Sequence, residues 1–253
     1  MTTLAKQIGE SEQSLRQRGV GPQCLARNRL LRNMDSQDLQ HLVPHLNLVA
    51  WQRGEIIHEI AAVQRYAYFP LDALASIVLL LEDGHSCEIV VVGNDGLLGV
   101  SIFTQIEAMP AYSIAQVAGS ACRVSACVLR DLFLKSESFR ALMLRYTQVL
   151  LMQIGQSVTC NRYHTIHQQL ARWLLVAMDH LPYSQLELTQ EQIAHILGVR
   201  REGVTEAAGR LQKAGLIECG RGRIRVLDRK GLERVCCECY HVVKRETEHL
   251  LPD

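Results

Sequence analysis

The middle of the chain is unusually poor in residues that interrupt helices. No proline occurs between residues 110 and 182, and Gly155 is the only glycine between residues 119 and 198. Proline and glycine are the strongest local interruptions of regular structure. Apolar residues from Phe139 to Val158 recur at steps of three and four, which is the helical period. We therefore predict one long helix over residues 129–162.

The segment before this helix has the pattern of a series of short β-strands. Its runs are rich in Val, Ile and aromatic residues and are separated by turns that contain Gly, Asn or Asp. The runs are LNLVAW, EIIHEI, YAYF, ASIVLLL, CEIVVV, YSIAQVA and ACRVSACVL. Short strands at near-regular spacing favour an antiparallel sandwich or roll. We predict an α+β protein with an antiparallel, jelly-roll-like β-roll over residues 30–128, preceded by an arm over residues 1–29.

Charge divides the chain in a similar way. No Lys or Arg lies between Arg65 and Arg123, whereas nine cations and four carboxylates between Gly198 and Lys230 give this segment a net charge of +5. The whole chain has a formal net charge of only +1. A cationic end on a nearly neutral protein indicates that this end contacts a polyanion.

The cationic end contains a pattern of two short helices joined by a glycine. Thr189 and Gln192 have the spacing of a reciprocal N-terminal cap, which predicts a first helix over Gln190–Leu197. Gly198 follows as the turn residue, because glycine adopts left-handed backbone angles without strain. A second apolar stripe comes next, formed by Val199, Val204, Ala207 and Leu211. This order is typical of a helix-turn-helix.

The second of these helices would present its outward N-terminal face to duplex DNA. In helix-turn-helix proteins this part of the helix meets base edges in the major groove. Arg201 has the fork geometry to bond guanine O6 and N7, and Glu202 is able to accept from cytosine N4. We predict that DNA is contacted by Thr189, Gln190, Arg200, Arg201, Glu202, Thr205, Glu206 and Arg210, and by Arg221 and Arg223 of the next segment.

The run LIECGRGRIRVL that follows predicts a two-stranded hairpin with a cationic tip. We interpret it as a wing whose Arg221 and Arg223 point at phosphates. Its Gly-Arg-Gly sequence is too short for a nucleotide-phosphate loop and lacks the strand-to-helix setting that such a loop needs. The C-terminal part, residues 163–253, is therefore predicted to be a winged helix-turn-helix domain.

This order of elements resembles that of a known family. The β-roll, long helix and winged helix-turn-helix, with the run LTQEQIAHILGVRREGVTEAAGRLQKAGLIECGRGRIRVLD, closely resemble the CRP/FNR family of bacterial transcription regulators from about Leu30 onward. The resemblance implies a homodimer joined through the long helix and a cyclic-nucleotide-binding-like sensory roll. It also implies binding to a two-fold operator in double-stranded DNA, with RNA polymerase as a further partner.

The family's recognition residues are only partly retained. Its Arg and Glu match Arg201 and Glu202, whereas a third position that is commonly Arg is Glu206 here. A carboxylate near DNA repels phosphate unless it accepts from a base amine. The sequence of the half-site therefore stays open.

If the predicted long helix joins two chains, one of its faces must contact the same helix of the partner chain. On the long helix a spacing close to 3.5 residues, suited to a partner helix, is kept by Leu142, Tyr146, Val149, Gln153 and Gln156. Gly155 would allow the two helices to approach closely. We predict that this set forms the dimer contact; the alternative is an ordinary buried helix with a tolerated glycine.

The effector cassette of the family's cyclic-nucleotide branch aligns with GNDGLLGVSIFTQIEAMPAYSIAQV. Leu97 stands near the family's Glu, and Tyr112 stands where an Arg precedes the serine. Without a cation in this region a buried phosphate would lack a partner, which is costly. We predict an effector other than cyclic AMP, of open identity, and a pocket formed by Gly96, Leu97, Leu98, Gly99, Tyr112 and Ser113.

The cysteines suggest a second, weaker possibility. The family's iron–sulfur branch needs closely spaced N-terminal cysteines, and only Cys24 lies there. Near the C-terminus, two thiolates and an imidazole could gather from Cys236, Cys237, Cys239 and His241. A tetrahedral metal site wants four ligands, and no second pair at the usual spacing accompanies them. Packing of the last helix against the wing is favoured, with a redox- or metal-responsive role as the alternative.

Other classes of function fit less well. A cupin-like enzyme needs a His-x-His strand, whereas His45, His58 and His85 are scattered, so we predict that the protein is not an enzyme. A protein-binding module that kept the fold and lost its operator is a further alternative. The chain lacks an apolar signal core and a membrane-length apolar run, so we expect a cytoplasmic protein with reduced cysteines.

Overall fold

A computed structural model describes residues 20–104, 106 and 109–252 of the chain. The first nineteen residues of the predicted arm lie outside the described residues. Within the part that is described, no helix has both the length and the apolar character needed to cross a membrane.

The end of the predicted arm is packed against the β-roll. It forms the short helices α1 (Pro22–Leu25) and α2 (Arg29–Arg32). Asn28 is fully buried, and its side chain accepts hydrogen bonds from the first amides of α2. The same side chain donates to the carbonyls of Pro70 and Gly96, each at 2.9 Å. The packed part of the chain therefore begins before residue 30, because a buried amide must have partners on both sides.

Two antiparallel sheets form the β-roll, which confirms the predicted fold class. The first sheet has the strand order β1-β7-β3 and the second has the order β2-β6-β4-β5. The strands are β1 (Asn47–Trp51), β2 (Ile56–His58), β3 (Tyr66–Pro70), β4 (Leu74–Leu80), β5 (Ser86–Val92), β6 (Ala111–Val117) and β7 (Gly119–Ser125). Helix α3 (Ser36–Leu42), a 3₁₀ turn (Val43–His45) and α4 (Ser101–Thr104) complete this part. Its core contains Phe69, Leu97 and Leu98, all fully buried.

The predicted long helix is divided into two. Helix α5 (Ala126–Lys135) and helix α6 (Glu137–Tyr163) meet at Ser136, whose hydroxyl accepts from the amide of Phe139 at 3.1 Å and caps α6. The carboxylate of Asp38 accepts from the hydroxyls of Ser136 and Ser138 at 2.8 and 2.6 Å. This capping explains the break, since serine offers the backbone an alternative to continuous helix.

The predicted dimer face of the long helix is wrong. Leu142, Tyr146 and Val149 are buried against the β-roll of the same chain. The hydroxyl of Tyr146 accepts from the amide of Leu97 at 2.9 Å and donates to its carbonyl at 3.1 Å. The spacing of these residues is that of any buried helical face, so it does not distinguish a partner helix from the chain's own roll.

The last two residues of the predicted face have other neighbours. Gln153 lines a cleft between the roll and the C-terminal helices. Gln156 donates to the sulfur of Cys239 at 3.0 Å. Gln156 is therefore engaged within the same chain.

The C-terminal domain is built from helices around a three-stranded sheet. Its elements are α7 (Ile166–His180), β8 (Gln185–Leu186), α8 (Gln190–Leu197), α9 (Arg201–Lys213), β9 (Ile217–Gly220), β10 (Arg223–Val226), α10 (Arg229–Val235) and α11 (Cys239–Leu250). The sheet order is β8-β10-β9. Helix α11 packs against α6, not against the wing as the sequence led us to expect. The chain therefore returns to the long helix at its C-terminal end.

The roll and the C-terminal domain are joined through a buried carboxyl group on β5. Glu88 accepts from the indole N–H of Trp173 at 3.0 Å and from the hydroxyl of Ser76. Burial raises the pKa of Glu88 to about 7, against the opposing effects of these hydrogen bonds and of the charge of Arg172. The side chains of Leu74 and Val117 from the roll pack into the same apolar cluster as Trp173.

This carboxyl group predicts a pH dependence of stability. The pKa of a glutamate in the unfolded chain is about 4.3, whereas that of Glu88 in the folded chain is about 7. At pH values between these two, the unfolded chain has released a proton that the folded chain retains. Stability therefore falls as pH rises through this window and levels off above it. Each pKa unit corresponds to about 1.4 kcal/mol, so over the range from about pH 5 to about pH 7 the fall in the free energy of unfolding should be about 2 kcal/mol smaller in Glu88→Gln. Urea unfolding of both proteins between about pH 5 and about pH 7 measures this.

Glu82→Gln is the matched control, because Glu82 is exposed in the β4–β5 turn. It should leave the pH dependence as in the wild type. Equal pH dependence in the wild type and in Glu88→Gln would contradict the prediction.

Candidate nucleic-acid interface

The turn between α8 and α9 has the geometry that the sequence predicted. The amide of Gln192 donates to the Thr189 hydroxyl at 3.2 Å, and the amide of Thr189 donates to Gln192 Oε1 at 2.9 Å. This reciprocal cap starts α8 at Gln190. Helix α8 ends at Leu197 and is followed by Gly198, whose φ of 64° lies in the left-handed region. The cap and the glycine fix both ends of the first helix by local interactions.

Helix α9 buries one face and exposes the other. Its inner face consists of Val204, Ala207, Ala208 and Leu211 and packs against α7. Gly203 lies close to the start of α7: a Cβ atom there would be 2.6 Å from Ile166 Cδ1. This packing leaves the opposite side of the N-terminal half of α9 in solvent.

The exposed side carries five of the residues predicted to contact DNA. Arg200, Arg201, Glu202, Thr205 and Glu206 are all exposed. The guanidinium of Arg201 is 3.9 Å from the carboxylate of Glu191, and both side chains are more than half exposed. The hydroxyl of Thr205 donates to the side-chain oxygen of Gln190 at 2.8 Å. Contacts of this kind between exposed groups contribute little to stability, so the residues are available to a partner.

Glu206 is paired with a cation on its own helix. Its carboxylate accepts from Arg210 at 2.6 Å, one helical turn away. The pair reduces the local negative charge that the sequence placed at this position. Because Arg210 offsets its charge, the carboxylate of Glu206 repels a neighbouring phosphate less than an unpaired carboxylate would.

The wing lies beside the start of α8. Strands β9 and β10 are joined at Arg221 and Gly222, and Gly222 has a φ of 68°. A Cβ atom on Gly222 would be 3.7 Å from Thr189 Cγ2. Arg221 and Arg223 are exposed, while Arg225 bonds Glu218 on the opposite strand at 2.7 Å. The wing tip, the start of α8 and the N-terminal half of α9 therefore form one surface.

Sequence reasoning missed two members of this surface. Glu191 approaches Arg201, and Glu218 neutralises Arg225. Their positions were not readable from spacing, because each contact joins residues of two different elements. The charge count over residues 198–230 included both Glu218 and Arg225, but it did not show that the two side chains pair.

The predicted effector pocket is not a single cavity. Leu97 and Leu98 are fully buried in the core of the roll, and Gly96 packs against the ring of Tyr146. Gly99 has a φ of 111° and lies against Ala67. The loop from Gly96 to Gly99 is thus filled by its own side chains and neighbours.

Tyr112 and Ser113 point in opposite directions, because neighbouring residues of a strand alternate between the two faces of a sheet. Tyr112 lines a small crevice against α8. Ser113 is buried beside His58, with 3.5 Å between its hydroxyl and His58 Nδ1. Burial lowers the pKa of His58. Both residues were predicted to lie in one pocket because both belong to the stretch that aligns with the family's effector cassette.

A larger cleft lies between the roll, α6, α7 and α11. It is lined by charged residues that include Arg27, Arg172, Lys244, Asp95 and Asp179. Only Asp95 of these five belongs to the region where the sequence placed the effector pocket. The others come from the start of the chain and from the C-terminal helices, so sequence spacing gave no signal for this cleft.

The C-terminal cysteine group is also arranged differently from the prediction. Cys237 and Cys239 are buried and point toward the end of α6. Cys236 donates to the carbonyl of Glu233 at 3.3 Å, and the exposed His241 lies against the ring of Tyr240. Two of the four predicted ligands are therefore grouped, and their partners come from a distant part of the sequence.

Comparisons with known proteins agree with this arrangement. Residues 168–235 match the family model of the Crp-like helix-turn-helix domain. No curated protein sequence matches the chain. The fold is similar to that of FixK2 from Bradyrhizobium japonicum, with a TM-score of 0.62, 16% identity and coverage of 76% of this chain and 98% of FixK2.

Two further solved structures have the same fold. A CRP/FNR-family transcriptional regulator of Thermus thermophilus is 20% identical with a TM-score of 0.58, and 75% of this chain and 97% of that chain are covered. The c-di-GMP-responsive global regulator CLP of Xanthomonas campestris is 15% identical with a TM-score of 0.55, and 77% and 100% are covered. The chain therefore contains a Crp-like helix-turn-helix domain over residues 168–235, and its overall fold is similar to that of CRP/FNR-family regulators.

Proposed function

We propose that the protein binds a two-fold operator in double-stranded DNA as a homodimer and regulates transcription from it. The observation that carries this proposal is the exposed cationic surface made by the N-terminal half of α9 and the wing. Its apolar residues are turned inward and its guanidinium groups outward, as a major-groove reader requires. The bacterial cytoplasm is the expected location, and RNA polymerase is a further expected partner by family resemblance.

Within this proposal the residues divide into two roles. Arg201 and Glu202 read base edges, because their planar groups match guanine and cytosine in the major groove. Phosphate contacts fall to the wing and to the start of α8, and these position the protein without reading sequence. The phosphate-contacting set is Thr189, Gln190, Arg200, Arg221 and Arg223, while Thr205, Glu206 and Arg210 lie between the two groups.

A different face of α6 supports the homodimer. Leu144, Leu151 and Val158 follow one another at seven-residue spacing and are 58%, 59% and 66% exposed. A heptad repeat of apolar residues is the pattern that joins two helices in a coiled coil. Gly155 lies on the same side of the helix with open space around its Cα. Because the other faces of α6 are covered by the roll and by α11, we propose this apolar row as the dimer contact.

The effector is proposed to be something other than cyclic AMP. The position near the family's ribose-binding Glu is the buried Leu97, and Tyr112 at the Arg position faces out of the roll. The Xanthomonas relative responds to c-di-GMP according to its description, so proteins of this fold differ in their ligands. An event at the roll would shift the C-terminal domain with a coupling free energy of about 1–3 kcal/mol.

Replacement of Arg201 tests base reading. Binding sites are first selected from a random DNA pool, and affinity is then measured by fluorescence anisotropy. Arg201→Ala should cost about 1–3 kcal/mol on the selected site and relax preference at one base pair of each half-site. Binding of the wild type should weaken steeply with salt, because Lys and Arg release counterions from phosphate.

Arg130→Ala serves as the control, since Arg130 is exposed on α5, which belongs to the roll side of the chain. It should bind as the wild type does. An equal loss for Arg201→Ala on every sequence would identify Arg201 as a phosphate contact. Salt-independent binding, or none, would favour a protein-binding module instead.

Replacement of Leu151 tests the dimer contact. A charge in the middle of an apolar coiled-coil row is strongly unfavourable, so Leu151→Glu should be monomeric in sedimentation equilibrium and should lose tight operator binding. Leu134→Glu introduces the same charge at a leucine that is 62% exposed on α5, and it should remain dimeric. A dimeric Leu151→Glu protein would refute this face.

Addition of cyclic AMP tests the effector assignment. We expect no change in the thermal unfolding midpoint and none in operator affinity, because a buried phosphate would lack the family's arginine. The midpoint is measured by differential scanning fluorimetry over a range of ligand concentrations. A saturable rise would show that the roll binds the cyclic nucleotide after all.

A further inference from the structure

Four potential metal ligands meet where the long helix ends. They are Cys160 and His164 from the last turn and cap of α6, and Cys237 and Cys239 from the junction of α10 and α11. One ligand atom of each lies within 4.8 Å of all the others, and they are the only such group found among the described residues. The three cysteines are buried and His164 is half-buried. Residues more than seventy positions apart are thus brought to one point.

The distances in this group fit a single tetrahedral ion. Zinc bonds of about 2.3 Å to sulfur and about 2.0 Å to nitrogen place two tetrahedral sulfurs about 3.8 Å apart and a sulfur and a nitrogen about 3.5 Å apart. The sulfurs of Cys160 and Cys237 are 3.6 Å apart, and the sulfur of Cys239 is 3.4 Å from His164 Nδ1. A disulfide would require about 2.05 Å.

The surroundings orient the ligands. The other ring nitrogen of His164, Nε2, is 3.3 Å from the carboxylate of Glu238. A carboxylate at this place fixes the ring so that its remaining nitrogen faces the ion, as is common around protein-bound zinc. The amide of Gln156 donates to the sulfur of Cys239 at 3.0 Å.

We propose that Cys160, His164, Cys237 and Cys239 bind one Zn²⁺ per chain. Three thiolates and one imidazole fill the tetrahedral positions, which leaves none for a substrate or a water molecule. A closed set of this kind is a structural site.

The site would hold the C-terminal domain on the long helix. Two ligands belong to α6, just before the bend at Thr165, and two belong to the other end of the domain. The ion would therefore join the dimer helix to the domain that contains α9. An influence of zinc on operator affinity rests on the proposed function, whereas zinc binding itself does not.

The metal content of the purified full-length protein tests the site. Inductively coupled plasma mass spectrometry should find about one zinc per chain, and Cys237→Ser should lose it. Cys236→Ser is the matched control, because Cys236 is the neighbouring cysteine and lies outside the group. It should retain the metal. Cobalt substitution of the wild type should give the visible bands of tetrahedral Co²⁺ and a thiolate charge-transfer band, and Cys237→Ser should lack both.

A second pair of variants separates loss of the site from loss of folding. His164→Ala should bind zinc more weakly, whereas His164→Cys supplies a fourth thiolate and should restore binding. The proposal is overturned if the metal-free wild type binds Zn²⁺ no more tightly than Cys237→Ser in competition with a chromophoric chelator. It is equally overturned if Cys160 and Cys237 form a disulfide in the metal-free protein. The sign of this would be two missing free thiols that reductant does not restore, even when zinc is added.

The DNA-binding measurement is kept separate. Zinc binding with no operator binding would support the site and contradict the proposed function. Operator binding by the wild type without any zinc binding would support the proposed function and contradict the zinc site.

Discussion

Helix α6 packs against the roll on one face and against α11 on another. Its contact with the roll determines which of its faces are left for the other neighbours. Tyr146 reaches the loop at Leu97 and forms two hydrogen bonds with the backbone there. A buried hydroxyl needs such partners, so this contact fixes the rotation of the helix about its axis. Once the rotation is fixed, α11 is placed along one side and the row of Leu144, Leu151 and Val158 is left facing solvent.

Local signals in the sequence were sufficient for the helix-turn-helix. The Thr189 cap, the turn at Gly198 and the wing at Gly222 each depend on residues only a few positions apart, and all three were predicted in place. The strands of the roll were also readable, because β-branched residues between turn signals have a strong pattern. Ser136 was not recognised as a cap, so two helices were predicted as one.

The faces of α6 and the cysteine group could not be obtained in the same way. An apolar helix face has the same period whether it covers a β-roll or a partner, and Leu142 was therefore assigned to the wrong neighbour. Cys160 and His164 are one helical turn apart, but this spacing alone does not indicate a metal site. It does so only together with Cys237, which the fold brings next to them from the other end of the domain. The sequence contains the ligands; the long-range packing of α11 brings them together.

The path of the last helix has a consequence for the mobility of the C-terminal domain. The domain leaves α6 through the bend at Thr165 and comes back to α6 through α11. A body attached by one linker could swing in any direction, whereas this domain is attached at its entry, at its exit and also to strand β5, which carries Glu88 and packs against α8. Three separate attachments oppose rotation as well as translation. The C-terminal domain can therefore turn relative to the roll only when its contact with β5 changes.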